Sequence, residues 1–485
     1  MKNSTPFFAG FHRFLFGRAQ RSAQQQLHAR MVALRQASLC QLATVCSPWA
    51  PAKLLEPAAR GTNSRQRSYP VSVTFWAFLS QVMSPGSPCR EIVRKVQAWH
   101  AARRLPVPSS STGAYCQARS RLPLQSLHRI QAHSAKELQR AVRSEHLWLD
   151  RHVKVVDGTG VSMPDTPENQ SVWPQPSNQS TGCGFPVAKL VGCFCLASGA
   201  LLDLTEGNLR VHESQLFRKR FDLFSEGDVV LTDRGFCSYS SIAELLARDV
   251  DTVMRLHQAR PSDFRKGKRL GPKDRLVVWH KPSQPAKGFT KRQCNALPET
   301  LTLRLLHIQI HVPGFRSESI VLVTTLTDPV AYPAEQLAQL YLRRWSVELF
   351  FRDIKITLGM DVLRCRTPDM VRKEIALHAI VYNLVRALMQ QAAALYQVDL
   401  TRISFKGSVD ALRQWADTFN AAHSKPREQR RLFNQLLQII AEDIVPFRPE
   451  RSEPRVRKRR PKNYRLMTRP RHQDQPRKTS KDVLI

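Results

Sequence analysis

YLRRWSVELFFRDIK, residues 341–355, sits in a helical pattern that opens at Pro333-Ala334-Glu335 and closes at Gly359, with proline just inside the start and glycine just past the end. On a helical wheel advancing about 100° per residue from Tyr341, the residues Arg344, Glu348, Arg352 and Lys355 fall at about −60°, −20°, +20° and −40°. Leu340, Val347, Phe351 and Ile354 flank this arc on one side and Leu342, Leu349 and Phe350 on the other, so most of the circumference is apolar. A charge stripe on an ordinary surface helix is a solvated face. One carboxylate among three cations on a mostly apolar helix suits a cleft that holds a phosphate and a metal.

Upstream, two apolar segments each run into an aspartate. The stretch from His152 to Val156 reaches Asp157-Gly158-Thr159, and that from Asp228 to Thr232 reaches Asp233-Arg234-Gly235-Phe236. Carboxylates at strand ends facing one crevice are where an open α/β sheet places its site. Singly, each aspartate is a common turn or cap residue. With Glu348 they make a trio of hard oxygen donors of the kind that bind Mg²⁺ or Mn²⁺ and leave positions for water and phosphate. Two such ions ~4 Å apart can activate a nucleophile and stabilise the leaving oxygen of a phosphodiester.

Around these motifs the pattern is mixed α/β. Strands are expected at 152–156, at 187–196 and 201–205 as a hairpin turning at 197–200, at 228–232 and at 251–256, with helices at 213–224 and 240–248. The order βββαβαβ describes a mixed sheet with helices packed on it. Residues 257–318, rich in Lys, Arg, Pro and Gly, read as a β-rich insertion with strands at 275–279 and 301–311, after which 320–325 resumes the core.

On the N-terminal side, residues 1–70 form a basic arm and linker with one helix expected at 21–42. Residues 71–148 form a helical region in which a short helix at 112–122 carries Tyr115, Gln117, Arg119 and Arg121. That region is compatible with a helix-turn-helix-like DNA reader and equally with a plain bundle bearing a basic face. On the C-terminal side, the chemistry-bearing domain at 149–396 ends in an apolar helix at 370–396. A helical region at 397–445 follows, and the tail at 446–485 lacks hydrophobic periodicity, as expected of a segment disordered until it meets DNA.

The formal net charge is +35. Residues 1–150 hold 21 Lys and Arg against 5 Asp and Glu, and residues 446–485 hold 14 against 4, so both ends are basic arms suited to a polyanionic partner. Ten cysteines are scattered without a C-x-x-C pair, which points to buried thiols in a reducing compartment, Cys193 and Cys195 sharing one strand face. No apolar run approaches the ~20 residues that span a bilayer, so no membrane partner is expected. The acid-free first forty residues superficially suit a transit peptide, but the same bias continues past any presequence.

Tyr341, Arg344, Glu348 and Lys355 match the Y-x2-R-x3-E-x6-K signature of the insertion-sequence DDE transposases, the IS-four group that includes the Tn-five type cut-and-paste enzymes. The segments 157–159 and 231–236 resemble that family's first and second acidic motifs, and the gap before Glu348 resembles its β-rich insertion. The likeness covers about residues 150–395, with a weaker one back to about residue 75.

The resemblance implies a ribonuclease-H-like catalytic core. In it Asp157, Asp233 and Glu348 would bind two Mg²⁺ ions, and Tyr341, Arg344, Arg352 and Lys355 would contact the cleaved DNA strand. It further implies cleavage at the terminal inverted repeats of double-stranded DNA, strand transfer into target DNA, a homodimer in a synaptic complex, and a bacterial cytoplasmic setting at the nucleoid. Hairpin-forming relatives keep a tryptophan in the strand before the catalytic helix, where this chain has Ser319-Ile320-Val321-Leu322, so the hairpin step is not among what the resemblance implies. Trp279 and Trp345 remain as stacking surfaces or as core residues. Three intact acids favour the enzyme over a catalytically lapsed DNA-binding descendant; a nuclease without strand transfer is the third reading.

Overall fold

The computed structural model of the chain describes residues 48–56, 68–102, 106–284, 288–310, 318–415, 426–446, 466–470 and 473. The helix expected at 21–42 and most of the C-terminal tail lie outside the described residues. The described chain opens with four helices, α1 (Val71–Met83), α2 (Cys89–Ala102), α3 (Gly113–Arg121) and α4 (Leu124–Arg140). A sheet follows, made of β1 (Val153–Ser162), β2 (Val187–Cys195), β3 (Leu201–Asn208), β4 (Val229–Thr232), β5 (Asp251–Arg255), β6 (Lys268–Gly271), β7 (Asp274–His280), β8 (Thr300–Ile310) and β9 (Glu318–Thr324).

Among the described residues these strands form one sheet in the order β3-β2-β1-β4-β5-β9-β8-β7-β6. β1, β4 and β5 run parallel, β2 and β3 extend them as antiparallel hairpin partners, and β9 returns antiparallel to β5. Val229, Val230 and Leu231 are fully buried, as a central parallel strand covered on both faces requires.

One expectation is corrected here. Asp157 does not end its strand: β1 continues to Ser162 because β2 pairs with it throughout, from Lys154↔Cys195 to Ser162↔Val187. Only the parallel pairing with β4 stops at Val156↔Thr232, so Asp157 is terminal with respect to one neighbour and internal with respect to the other. The β-rich insertion carries its expected strands, at Asp274–His280 and Thr300–Ile310. Its strands β6 to β8 prolong the main sheet through the β8–β9 ladder.

The shorter helices are α5 (Pro167–Val172), α6 (Glu213–Arg218), α7 (Tyr239–Leu246) and α8 (Lys291–Asn295). The helix expected at 213–224 stops at Arg218 and resumes as a 3₁₀ turn at Phe221–Leu223. That break lets Phe217 meet both Phe221 and Phe224 edge-on, at 4.8 and 5.8 Å.

The stretch carrying the signature comprises α9 (Ala334–Leu342) and α10 (Ser346–Arg352). Beyond it come α11 (Pro368–Tyr396), α12 (Phe405–Gln414) and α13 (Pro426–Glu442). α11 is buried along most of its length, and α1, α4, α12, α13 and β3 all pack on it. Asn383 at its middle donates to Leu201 O and Ser134 Oγ and accepts from Leu201 N, tying α4, β3 and α11 at one point. One apolar core therefore runs from Trp49 to Ala441.

Candidate active site

Because β1 and β4 are parallel and in register at Val156↔Thr232, the next residues, Asp157 and Asp233, emerge side by side. Each carboxylate is first steadied by its own turn. Asp157 Oδ1 accepts from Gly158 N and Asp233 Oδ1 from Gly235 N, both at 2.8 Å. The glycine after Asp157 has a steric reason, since a Cβ there would lie 2.5 Å from Glu213 Cδ. Burial pushes the Asp157 carboxyl up to about 6. The Gly158 N–H and Arg344 pull it down, while Asp233 and Glu213 push it further up.

The helix that carries Glu348 is not uniform. α9 tightens into a 3₁₀ turn at Arg343–Trp345, α10 follows, and the stretch widens into a π turn at Asp353–Thr357 before Gly359, whose φ of +77° ends it. Pro333 is the N-cap rather than the first helical residue. A wheel of constant 100° steps therefore misjudges the arc. Tyr341 and Arg344 are buried, Lys355 is half-buried, and the side chains of Glu348 and Arg352 are 60% and 63% exposed.

Arg344 is the hub. Its Nη1 donates to Asp157 Oδ2 at 3.2 Å and its Nη2 lies 3.6 Å from Glu348 Oε1, so one guanidinium joins the first and third acids. It packs between the rings of Tyr341 and Trp345, at 5.9 and 5.2 Å. Tyr341 is pushed up to about 12 by burial and keeps its proton. Lys355 crosses back to β1, with Nζ 3.2 Å from Thr159 Oγ1 and 3.3 Å from Asp361 Oδ1.

Tyr341, Arg344, Glu348 and Lys355 thus gather along β1, while Arg352 stands on the surface near Asp353, at 4.0 Å. The helix can lie this close because Gly192 of β2, the register partner of Asp157, has no side chain. A Cβ there would fall 2.9 Å from Phe194 Cε2 and from Phe351 Cζ.

Three participants escape a reading by motif. Glu213 sits over Gly158, Gly192 clears the way for Phe351, and Arg255 follows Met254, the partner of Thr232, beside Asp233 at the end of β5. Arg255 follows an apolar run in the sequence just as the two aspartates do, and that was its readable signal. A cation lies over one face of each tryptophan: Arg260 at 3.9 Å from the Trp279 ring and Arg344 at 5.2 Å from the Trp345 ring.

Among the described residues no three His, Cys, Asp or Glu side chains stand close enough to enclose an ion as placed, since Arg344 lies between Asp157 and Glu348. The donor chemistry nevertheless fits a hard divalent cation. The acids offer oxygen ligands, the burial and the lesser carboxylate repulsion that raise Asp157 are what a bound cation offsets, and the exposed Glu348 side chain can turn. No described helix is long and apolar enough to cross a membrane.

The family model for the transposase DDE domain matches residues 148–384. The transposase InsG of insertion sequence element IS4 from Escherichia coli K12 is 25% identical over 403 residues, 82% of this chain and 88% of that protein. A probable transposase of element IS5377 from Geobacillus stearothermophilus is 38% identical over 72 residues, 15% of this chain and 19% of that protein. Among solved structures, a piggyBac transposase synaptic complex with hairpin DNA aligns with a TM-score of 0.41 at 10% identity, covering 84% of each chain.

Proposed function

We infer that the chain is a DDE transposase, similar to the IS4 transposase over most of its length, and that it acts in DNA transposition. From that premise we propose that it cleaves DNA at the ends of an insertion sequence and joins the freed end to target DNA in a reaction dependent on Mg²⁺ or Mn²⁺. The observation that carries the reading is the β1–β4 register. It sets Asp157 beside Asp233 while Arg344 links Asp157 to Glu348.

Asp157, Asp233 and Glu348 would hold two divalent ions. When bound, such ions activate a water or a 3′-hydroxyl and stabilise the leaving oxygen. Arg344, released from the carboxylates, offers a bidentate fork to the scissile phosphate. The Tyr341 phenol stays protonated beside it and serves as a donor. Lys355, oriented by Thr159, holds the next stretch of strand, and the exposed Arg352 extends that track outward.

The sheet order β3-β2-β1-β4-β5 with β1, β4 and β5 parallel supports a ribonuclease-H-like core at 149–396. Within residues 71–148, α4 spends its apolar side on α11, which leaves the short α3 as the better candidate to face DNA. The basic ends at 1–70 and 446–485 add phosphate contacts, and two copies of the chain would pair the two terminal repeats.

The test is Glu348→Gln on a labelled duplex carrying the terminal repeat. Nicking in Mg²⁺ should be lost with binding kept, and a variant that nicks at the wild-type rate would sink the assignment. A plasmid-integration assay separates strand transfer from simple hydrolysis.

A further inference from the structure

A cavity of about 490 Å³ lies on the seam between the N-terminal helices and the catalytic helix, distinct from the carboxylate site but sharing Lys355 with it. Its wall includes Arg119 from α3, Lys355 and Arg364 from either side of the Gly359 turn, and His378 from α11. The charge balance inside it is uneven. Among the described residues the hydrogen-bond and ring partners of Arg119 are neutral: Gln81 Oε1 at 3.2 Å, Cys116 Sγ at 3.9 Å, and the rings of Phe78 and Tyr115 at 4.7 and 5.2 Å, while Glu374 acts on it only through space.

The acids in the same wall are already engaged. Both Glu374 oxygens accept from the backbone N–H groups of Arg364 and Cys365, and Asp361 sits on Lys355. Two buried polar atoms of the lining, Arg119 Nε and His378 Nδ1, have no hydrogen-bond partner. With Arg119, Lys355 and Arg364 in its wall against two acids that are already engaged, a space larger than a water suits an anion.

We propose that this cavity takes a phosphodiester of the bound DNA strand, so that Arg119 of the N-terminal bundle and Lys355 of the catalytic helix grip one backbone from both sides of the seam. The proposal rests on the reading that Lys355 tracks DNA. It adds that the bundle's share of the contact comes from the cavity wall rather than from a helix lying in a groove. Arg364 stands at the mouth, where its Nη2 would lie 3.9 Å from a Cβ at Gly86, and the planar fork of Arg119 supplies the bidentate geometry that phosphate favours.

The test compares wild type, Arg119→Gln, Arg119→Lys, Val362→Glu and Lys355→Ala on a terminal-repeat duplex. The readouts are phosphate-ethylation interference and the slope of log affinity against log salt. Val362 lines the cavity and its side chain is exposed, so a carboxylate there repels an anion without disturbing the core.

The expected result is that Arg119→Gln and Val362→Glu each lower the slope by about 0.9, one phosphate's worth, and erase interference at one phosphate next to the Lys355 footprint, with Arg119→Lys intermediate. Wild-type slope and footprint in both variants, alongside a loss in Lys355→Ala, would overturn the proposal and leave the DNA track standing. No loss in Lys355→Ala removes the track itself. If inorganic phosphate alone raises the melting temperature of wild type but not of Arg119→Gln, while DNA binding is equal in both, the cavity holds a free phosphate and the DNA assignment fails. If Arg119→Gln melts early, Val362→Glu decides.

Discussion

Arg344 reaches Asp157 across 187 residues of sequence, Nη1 to Oδ2 at 3.2 Å, with side chains only 10% and 21% exposed. Any cation bound by Asp157 therefore competes with this guanidinium for the same oxygen. Arg344→Gln should bind Mn²⁺ more tightly by calorimetry and yet nick DNA on the order of 10²- to 10³-fold more slowly, because the phosphate loses its fork. Parallel losses in both measurements would show that Arg344 serves only to hold the fold.

The Asp157 carboxyl, raised from 3.8 to about 6, sets a pH dependence of stability. Its folded form retains a proton that the unfolded chain has released, so the protein loses stability as pH rises from about 4 to about 6, by at most about 3 kcal/mol. Asp353, also raised to about 6 by burial, adds to the same window. Asp157→Asn should raise the melting temperature at pH 7 and have no such effect below pH ~4. Mg²⁺ should stabilise wild type at pH 7, less so below pH ~6, and should not stabilise this variant. Thermal melts across pH with and without Mg²⁺ check each arm.

Gly192 is the point where the glutamate helix meets the sheet. Gly192→Ala forces Phe194 and Phe351 apart and should cost about 1–3 kcal/mol by denaturant unfolding. Nicking should fall further than stability alone accounts for, because Glu348 moves with Phe351. Adding Phe351→Leu should restore part of both.

Asn383 tests whether the helical ends and the sheet share one core. Asn383→Leu strips partners from Leu201 N, Leu201 O and Ser134 Oγ, all buried, and should cost roughly 2 to 5 kcal/mol. The expected melt is a single transition shifted downward. Two separated transitions would mean that the N-terminal bundle folds independently of α11.

Much of this architecture was legible because each part obeyed a local rule. The parallel strands β4 and β5 announced themselves as short apolar runs, and the signature helix by its proline entry, glycine exit and apolar circumference. The two aspartates were placed by the end of the β1–β4 pairing. What stayed hidden depends on distant partners. The continuation of β1 past Asp157 is dictated by β2, and the merging of the insertion into the main sheet by β9.

The spread of the polar arc has a different origin. A 3₁₀ turn and a π turn within one helical stretch shift the phase of every residue after them, which is why Arg352 left the cluster that the wheel drew. Glu213 and Gly192 carry no motif; they matter through close approaches, 2.5 and 2.9 Å to where a Cβ would stand, which sequence spacing does not encode.

The long helix Pro368–Tyr396 has a consequence for synthesis. The apolar faces of Val71–Met83 and Leu124–Arg140 are covered by a segment translated more than two hundred residues later, so a nascent chain carries them bare until that helix clears the ribosome. A fragment that ends before residue 368 should therefore expose those faces and be cut by protease under conditions in which the full chain is not, so that only copies translated to that helix would persist to compete for the element's ends.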